Sequence, residues 1–160
     1  MDKIVIYDTE TSNSHIFGSI IEFGAVVVDK NLNEISKFNI RGRLPEGEVP
    51  SAKALLVNST RIDLLTKGNY SHYEFIAAIE NFFLKISPAC FIGWGNTNFD
   101  RKLIHSNFFR SNRYPYSSHT SPNQETDGLH IARAAQTLDS DTLKTGLTDA
   151  GNVSLALESL

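Results

Sequence analysis

Short apolar runs separated by polar punctuation open the chain. Ile4 to Tyr7 is β-branched and aromatic and predicts a strand. Ile20 to Val28 (Ile-Ile-Glu-Phe-Gly-Ala-Val-Val-Val) is nearly continuous in apolar residues, the pattern of a strand buried on both faces. Asp29 to Glu34 is turn-rich and Ile35 to Ile40 alternates, which predicts a hairpin feeding a third strand.

Helical spacing then takes over. Ser71-His72-Tyr73-Glu74 has the form of a capping box, with Ser71 as N-cap and Glu74 reaching back. Behind it Phe75, Ile79, Phe82 and Ile86 recur at helical intervals, with Ile76 and Phe83 beside them, and Pro88 ends the helix. Cys90 to Trp94 predicts a short strand closed by Gly93 and Gly95, and Phe99 to Phe109 a second helix with Phe99, Leu103, Ile104 and Phe108 inward. Residues 112–125, rich in Ser, Tyr, Pro and Asn, read as a long surface loop. A third helix follows Asp127, with Leu129, Ala132 and Ala135 on one side, and after a polar loop with Gly146 and Gly151, Ser154 could cap a last helix. Strands first, then helices alternating with a strand, predict an α/β protein with helices packed on a mixed sheet.

At 160 residues the chain can bury one core, and 41% hydrophobic and 21% charged residues fit a globular domain, read as one unit over 1–160. The net charge of -3 argues against a protein that coats nucleic acid by bulk charge. It leaves room for an enzyme that grips a strand through metal ions, whose charge the sequence does not show. Cys90 stands alone in an apolar run, which excludes an intrachain disulfide and predicts a buried, inert thiol. No apolar stretch approaches the roughly 20 residues of a membrane span, and the N-terminal run is too short for a signal peptide, so no membrane partner and a cytoplasmic location are expected.

The candidate chemistry lies in carboxylates. Asp8 and Glu10 follow the first strand, and residues i and i+2 of an extended chain point the same way. Two carboxylates side by side repel unless a proton or cation lies between them, and Mg²⁺ or Mn²⁺ suits such oxygen ligands. Taken alone, Asp-x-Glu also fits two solvated acids at a strand end. Asp100, at the head of the second predicted helix, is either a first-turn acid complementing the macrodipole or a third carboxylate facing the same ions. Asp127 could simply cap the helix behind it. His15, His72, His105, His119 and His130 show no spacing that recommends any of them as a base, and each reads as a surface histidine.

The order of these motifs adds weight. Tyr7-Asp8-Thr9-Glu10-Thr11 after a first strand, Ile21-Glu22-Phe23-Gly24-Ala25 on a second, and Asn96-Thr97-Asn98-Phe99-Asp100 opening a helix resemble the DEDD, or DnaQ-like, 3′→5′ exonuclease superfamily. Gly93-Trp94-Gly95, Asn107-Phe108-Phe109-Arg110, Tyr114-Pro115-Tyr116 and Asp127-Gly128-Leu129 point toward its exonuclease I branch. The resemblance implies a ribonuclease H-like mixed β-sheet flanked by α-helices. It also implies hydrolysis of single-stranded DNA from the 3′ end to nucleoside 5′-monophosphates, work that would suit repair or recombination. Two Mg²⁺ or Mn²⁺ ions are implied, with Asp8 bridging them, Glu10 on the nucleophile side and Asp100 on the other ion. Thr9, Thr11, Asn96 and Phe99 are the implied substrate contacts. Phe99 and the Tyr114–Tyr116 loop are candidates for base stacking, with Arg101, Arg110 and Arg113 for phosphates, although Phe99 equally fits a core position.

Three departures from the family pattern stand out. Thr126 occupies the place of a tryptophan. Ala54 to Thr60 replaces a glycine-containing stretch that packs against the bound strand. The third motif, which carries the histidine base and a fourth carboxylate, would fall beyond Leu160, so the domain is expected to be incomplete and its turnover weak or absent. An exoribonuclease acting on short RNA and an inactive binding or interaction module are the other readings.

Overall fold

The computed structural model describes residues 1–95 and 99–138. Five strands, β1 (Lys3–Thr11), β2 (Ile20–Asp29), β3 (Glu34–Arg41), β4 (Cys90–Gly93) and β5 (Gln124–Asp127), lie in the order β3-β2-β1-β4-β5. The β1–β2 and β2–β3 pairs are antiparallel, whereas β4 runs parallel to both β1 and β5. Four helices accompany them: α1 (Ala52–Val57), α2 (His72–Ile86), α3 (Asp100–Arg110) and α4 (Gly128–Leu138). This is the expected α/β class, a mixed sheet with flanking helices.

Alternation along the strands builds the core. Val5 and Tyr7 of β1, Phe23, Ala25 and Val27 of β2 and Phe91 of β4 turn to one face. There they meet Phe75, Ile76, Ile79 and Phe83 of α2 and Leu103, Ile104 and Phe108 of α3. Phe83 is central, with its ring 4.8 Å from Phe91 and 5.7 Å from both Phe23 and Phe108. The opposite face is open enough to leave Ile6 48% exposed. β2 is therefore buried on one face and half-covered on the other, not buried on both as its apolar run implied.

The capping box of α2 forms as expected. Glu74 N–H donates to Ser71 Oγ (3.3 Å) while Ser71 N–H donates to Glu74 Oε2 (2.8 Å). Gly42 is needed where this helix meets the chain leaving β3, because a Cβ there would lie 2.5 Å from Phe75. Cys90 is half-buried rather than enclosed, and burial, with Glu125 nearby, pushes its thiol pKa up, away from the reactive thiolate.

Three further differences concern the elements. β1 runs on to Thr11, so Asp8 and Glu10 belong to the strand instead of following it. The segment read as one long loop runs into β5 at Gln124 and Glu125, and the strand's sequence Gln-Glu-Thr-Asp has no apolar pattern. That strand is fixed by pairing with β4 and by Asn123, whose Oδ1 accepts from Ala89 N–H at 3.0 Å. The short helix α1 also went unmarked in the sequence, because its six residues bury only Leu55, against Ile21 and Leu65. The helix expected from Ser154 lies outside the described residues.

Candidate active site

The pleat of β1 sorts its residues by function. Val5, Tyr7, Thr9 and Thr11 are buried, whereas Asp8 and Glu10 point to the other side. Because β1, β4 and β5 are parallel, their carboxyl ends gather at one edge of the sheet, where ligands bind in open α/β folds. Asp8 and Glu10 occupy that end of β1. Asp100 opens α3, which follows β4, and Asp127 is the last residue of β5.

The electrostatics there are one-sided. Burial raises the Asp8 pKa, against the opposing hydrogen bond from the Thr9 backbone. Glu10 is raised by burial and then by Asp8, Glu22 and Asp100, with Arg41 opposing. Arg41, however, is engaged with Glu22, the cross-strand neighbour of Glu10, through an Nε–Oε2 bond of 3.0 Å. Asp100 is pushed up to about 6, mainly by burial and also by Asp8 and Asp127, although the Thr9 hydroxyl donates to its Oδ1 at 2.5 Å. Three neighbouring carboxylates, Asp100 buried, Glu10 partly buried and Asp8 exposed, each with its pKa raised, are a fitting donor set for hard divalent cations. No described histidine hydrogen-bonds to any of the three.

The remaining expected contacts divide. Thr9 is buried with its hydroxyl on Asp100, and Thr11 is buried with its hydroxyl on the Asn13 carbonyl at 2.9 Å. Phe99 is partly buried against the core, and Asn96 lies outside the described residues. Arg110 donates to Gly18 O (3.1 Å) and Asn107 Oδ1 (3.2 Å), and Arg113 pairs with Glu80 beneath the Tyr73 ring, so both are held in structural contacts. Tyr114 and Tyr116 are exposed.

Three features take their place from contacts between elements that the sequence does not show. Asp127 is 4% exposed, and its Oδ1 accepts from Gly95 N–H (2.9 Å) and Leu129 N–H (3.0 Å), so it caps α4 and also ties the β4–α3 turn to β5. The departing stretch after α1 is docked at the end of β1: Asn58 Nδ2 donates to Thr11 O at 3.0 Å, and Ser59 takes the left-handed φ of 51° that a glycine would adopt freely. Lastly, among the described residues the trio whose ligand atoms all fall within 4.8 Å is His105, His119 and Glu125, not the three carboxylates. The histidines read as isolated surface residues thus include a pair brought together by the fold.

No family model matches the chain. Two exodeoxyribonuclease I sequences do: that of Buchnera aphidicola subsp. Schizaphis graminum (strain Sg), 27% identical over 139 residues, and that of Buchnera aphidicola subsp. Acyrthosiphon pisum (strain APS), 26% identical over 139 residues. Each match covers 85% of this chain but only 29% and 33% of the relative, so the chain spans about a third of their length. Among solved structures, E. coli exonuclease I in complex with a dT13 oligonucleotide superposes with a TM-score of 0.80 at 22% identity, over 88% of this chain and 31% of that one. A product-bound exonuclease I gives 0.84 at 21% identity, over 94% and 35%. The fold is that of a DnaQ-like exonuclease. Its likeness is to exonuclease I, as the order of the motifs implied. In this exonuclease I-like frame, Asp8, Glu10 and Asp100 share one edge of the sheet, and none of them serves the core.

Proposed function

We propose that the chain is the core of a metal-dependent 3′→5′ exonuclease that hydrolyses single-stranded DNA to nucleoside 5′-monophosphates. The observation that carries this reading is the meeting of Asp8, Glu10 and Asp100 at the carboxyl ends of parallel strands, each with its pKa raised. Bound among them, Mg²⁺ or Mn²⁺ (two ions in a complete site) would supply a low-pKa water and hold the leaving oxygen. Asp8 and Glu10 offer oxygen ligands from one face of β1, and Asp100 offers its own from the head of α3. Thr9 orients Asp100, Arg41 offsets the charge of Glu22, and Asn58 pins the end of β1. Thr11, Asn96 and Phe99 border these carboxylates in the sequence and are assigned to the terminal nucleotides. DNA is preferred over RNA because the relatives are named exodeoxyribonucleases and the E. coli structure holds a dT oligonucleotide.

The lack of a described histidine on the carboxylates bears on rate. A missing general base should slow turnover by roughly 10²–10⁴-fold relative to a complete site. The same observation favours a second reading, a module that binds strand ends without cleaving them.

An assay on 5′-labelled single-stranded DNA and RNA with Mn²⁺, run beside Asp8→Ala, tests both readings. Slow shortening of DNA from the 3′ end that Asp8→Ala abolishes is expected. Cleavage that starts internally, or survives Asp8→Ala, would overturn the proposal. Binding of Mn²⁺ and strand without cleavage would leave the binding module.

A further inference from the structure

Three segments remote in sequence meet on the helix-covered side of the sheet, where Glu125 pairs in register with core Phe91. His105 lies in α3, His119 in the loop between α3 and β5, and Glu125 in β5. Their nearest ligand atoms all fall within 4.8 Å of one another, and His119 Nδ1 is 3.3 Å from Glu125 Oε2. We propose that His105, His119 and Glu125 form a binding site for a transition-metal ion of the Zn²⁺ class, which fastens the loop to α3 and β5.

The details are those of a prepared site. Nε2 of His105 is buried without a hydrogen-bond partner. Such an orphan ordinarily costs stability, and a metal ion would satisfy it. The Glu125 side chain is 1% exposed. Its carboxylate is oriented by neutral donors, the Tyr7 hydroxyl on Oε1 (2.6 Å) and the Ser118 hydroxyl on Oε2 (3.0 Å). Outer hydrogen bonds of this kind fix ligating carboxylates. The two imidazoles face each other with centroids 5.1 Å apart, and the Tyr116 ring packs edge-on against both. Burial, with His119 and Arg101 nearby, keeps the His105 imidazole neutral, its pKa lowered to about 4, which is the form that ligates.

The donor set selects the ion. Two imidazoles and a carboxylate suit Zn²⁺, Co²⁺ or Ni²⁺, whereas Mg²⁺ prefers oxygen alone. Zinc bonds of about 2.0–2.2 Å in a tetrahedron put neighbouring ligand atoms roughly 3.4 Å apart. The His119–Glu125 separation of 3.3 Å already matches that spacing. None of the three residues belongs to the Asp8–Glu10–Asp100 cluster, so the two sites are separable by mutation.

Zinc binding to the metal-free 160-residue chain, followed by competition with a chromogenic chelator and by thermal melting, tests the proposal. One tightly held Zn²⁺ per chain is expected, together with a rise in Tm. The Asp8→Ala/Asp100→Ala double variant should keep both effects. His119→Ala also removes contacts to Glu125, His105 and Tyr116, so its rise in Tm with Zn²⁺ is read against its own metal-free melting. Its Zn²⁺ affinity should fall by more than about 100-fold, since even outer-shell partners of a metal ligand cost 10–100-fold. His119→Cys, which restores a ligand, should recover binding. The Co²⁺ complex of the unmutated chain gives a check independent of folding in the variants, with the strong visible absorption of a four- or five-coordinate ion expected. Failure of the unmutated chain to hold Zn²⁺, retention of full affinity by His119→Ala, loss of zinc in the double variant, or an octahedral Co²⁺ spectrum would each overturn the proposal.

Discussion

Thr9 stands between Asp8 and Glu10 in sequence but points the other way, and its hydroxyl reaches Asp100 across the gap between β1 and α3. It thus orients a carboxylate while pointing away from Asp8 and Glu10, the other proposed metal ligands. Thr9→Val should leave the fold intact and lower the rate of Mn²⁺-dependent cleavage by roughly 10–100-fold, as loss of an outer hydrogen bond does at metal sites. Thr9→Ser should restore it. Parallel rate measurements on the two variants check this. A separate residue governs acid sensitivity. Burial lowers the His72 pKa below 6.5, with Arg110 adding to the effect and Glu48 opposing it. His72 is also the first residue of α2, where the helix dipole disfavours a cation. The unfolded chain therefore takes up this proton first as pH falls. The stability due to neutral His72 is full above about 6.5 and is lost as pH drops through the lower folded value. Urea unfolding at pH 7.5 and pH 5 should show a smaller loss in His72→Gln than in the unmutated chain. At this scale the sequence offered Asp8, Glu10 and Asp100 as candidates by type and order, since acids at strand and helix ends are readable locally. It did not reveal the partners Thr9, Arg41 and Asn58, nor the meeting of His105 with His119, because those depend on distances between elements.

Elements were legible in proportion to how strongly they bury apolar residues. α2, with its capping box and its stripe of Phe75, Ile76, Ile79 and Phe83, agreed in both type and ends. β5 and α1 were invisible because tertiary contacts hold them, pairing with β4 in one case and a single leucine in the other. The joint between β3 and α2 is among the tightest places in the core. Gly42→Ala would press a Cβ against Phe75 at 2.5 Å, and overpacking of this kind costs about 1–3 kcal/mol. Thermal unfolding should show that loss, and Gly42→Ala combined with Phe75→Leu should recover part of it.

At the scale of the molecule, the parallel β1–β4–β5 arrangement turns scattered acids into a cluster. Asp8 and Glu10 reach the edge because β1 ends there, and Asp100 because the helix after β4 begins there. The sequence implied this only through the order of its motifs, as the polar β5 hid the last strand of the parallel set. Among the described residues no helix is long and apolar enough to cross a membrane. The chain covers 29% of the first exodeoxyribonuclease I it matches, so the proposed metal site is best tested apart from what the rest of such a protein contributes. Manganese binding is the most direct measurement, because it needs no turnover. Titration of the chain with Mn²⁺, followed by electron paramagnetic resonance in a His119→Ala background, should show binding that Mg²⁺ displaces. Asp8→Ala should weaken that binding at least about 10-fold, in line with the loss expected on disturbing a metal's ligand environment. Equal Mn²⁺ affinity with and without Asp8 would contradict the assignment of these carboxylates as a metal centre, and with it the proposed nuclease.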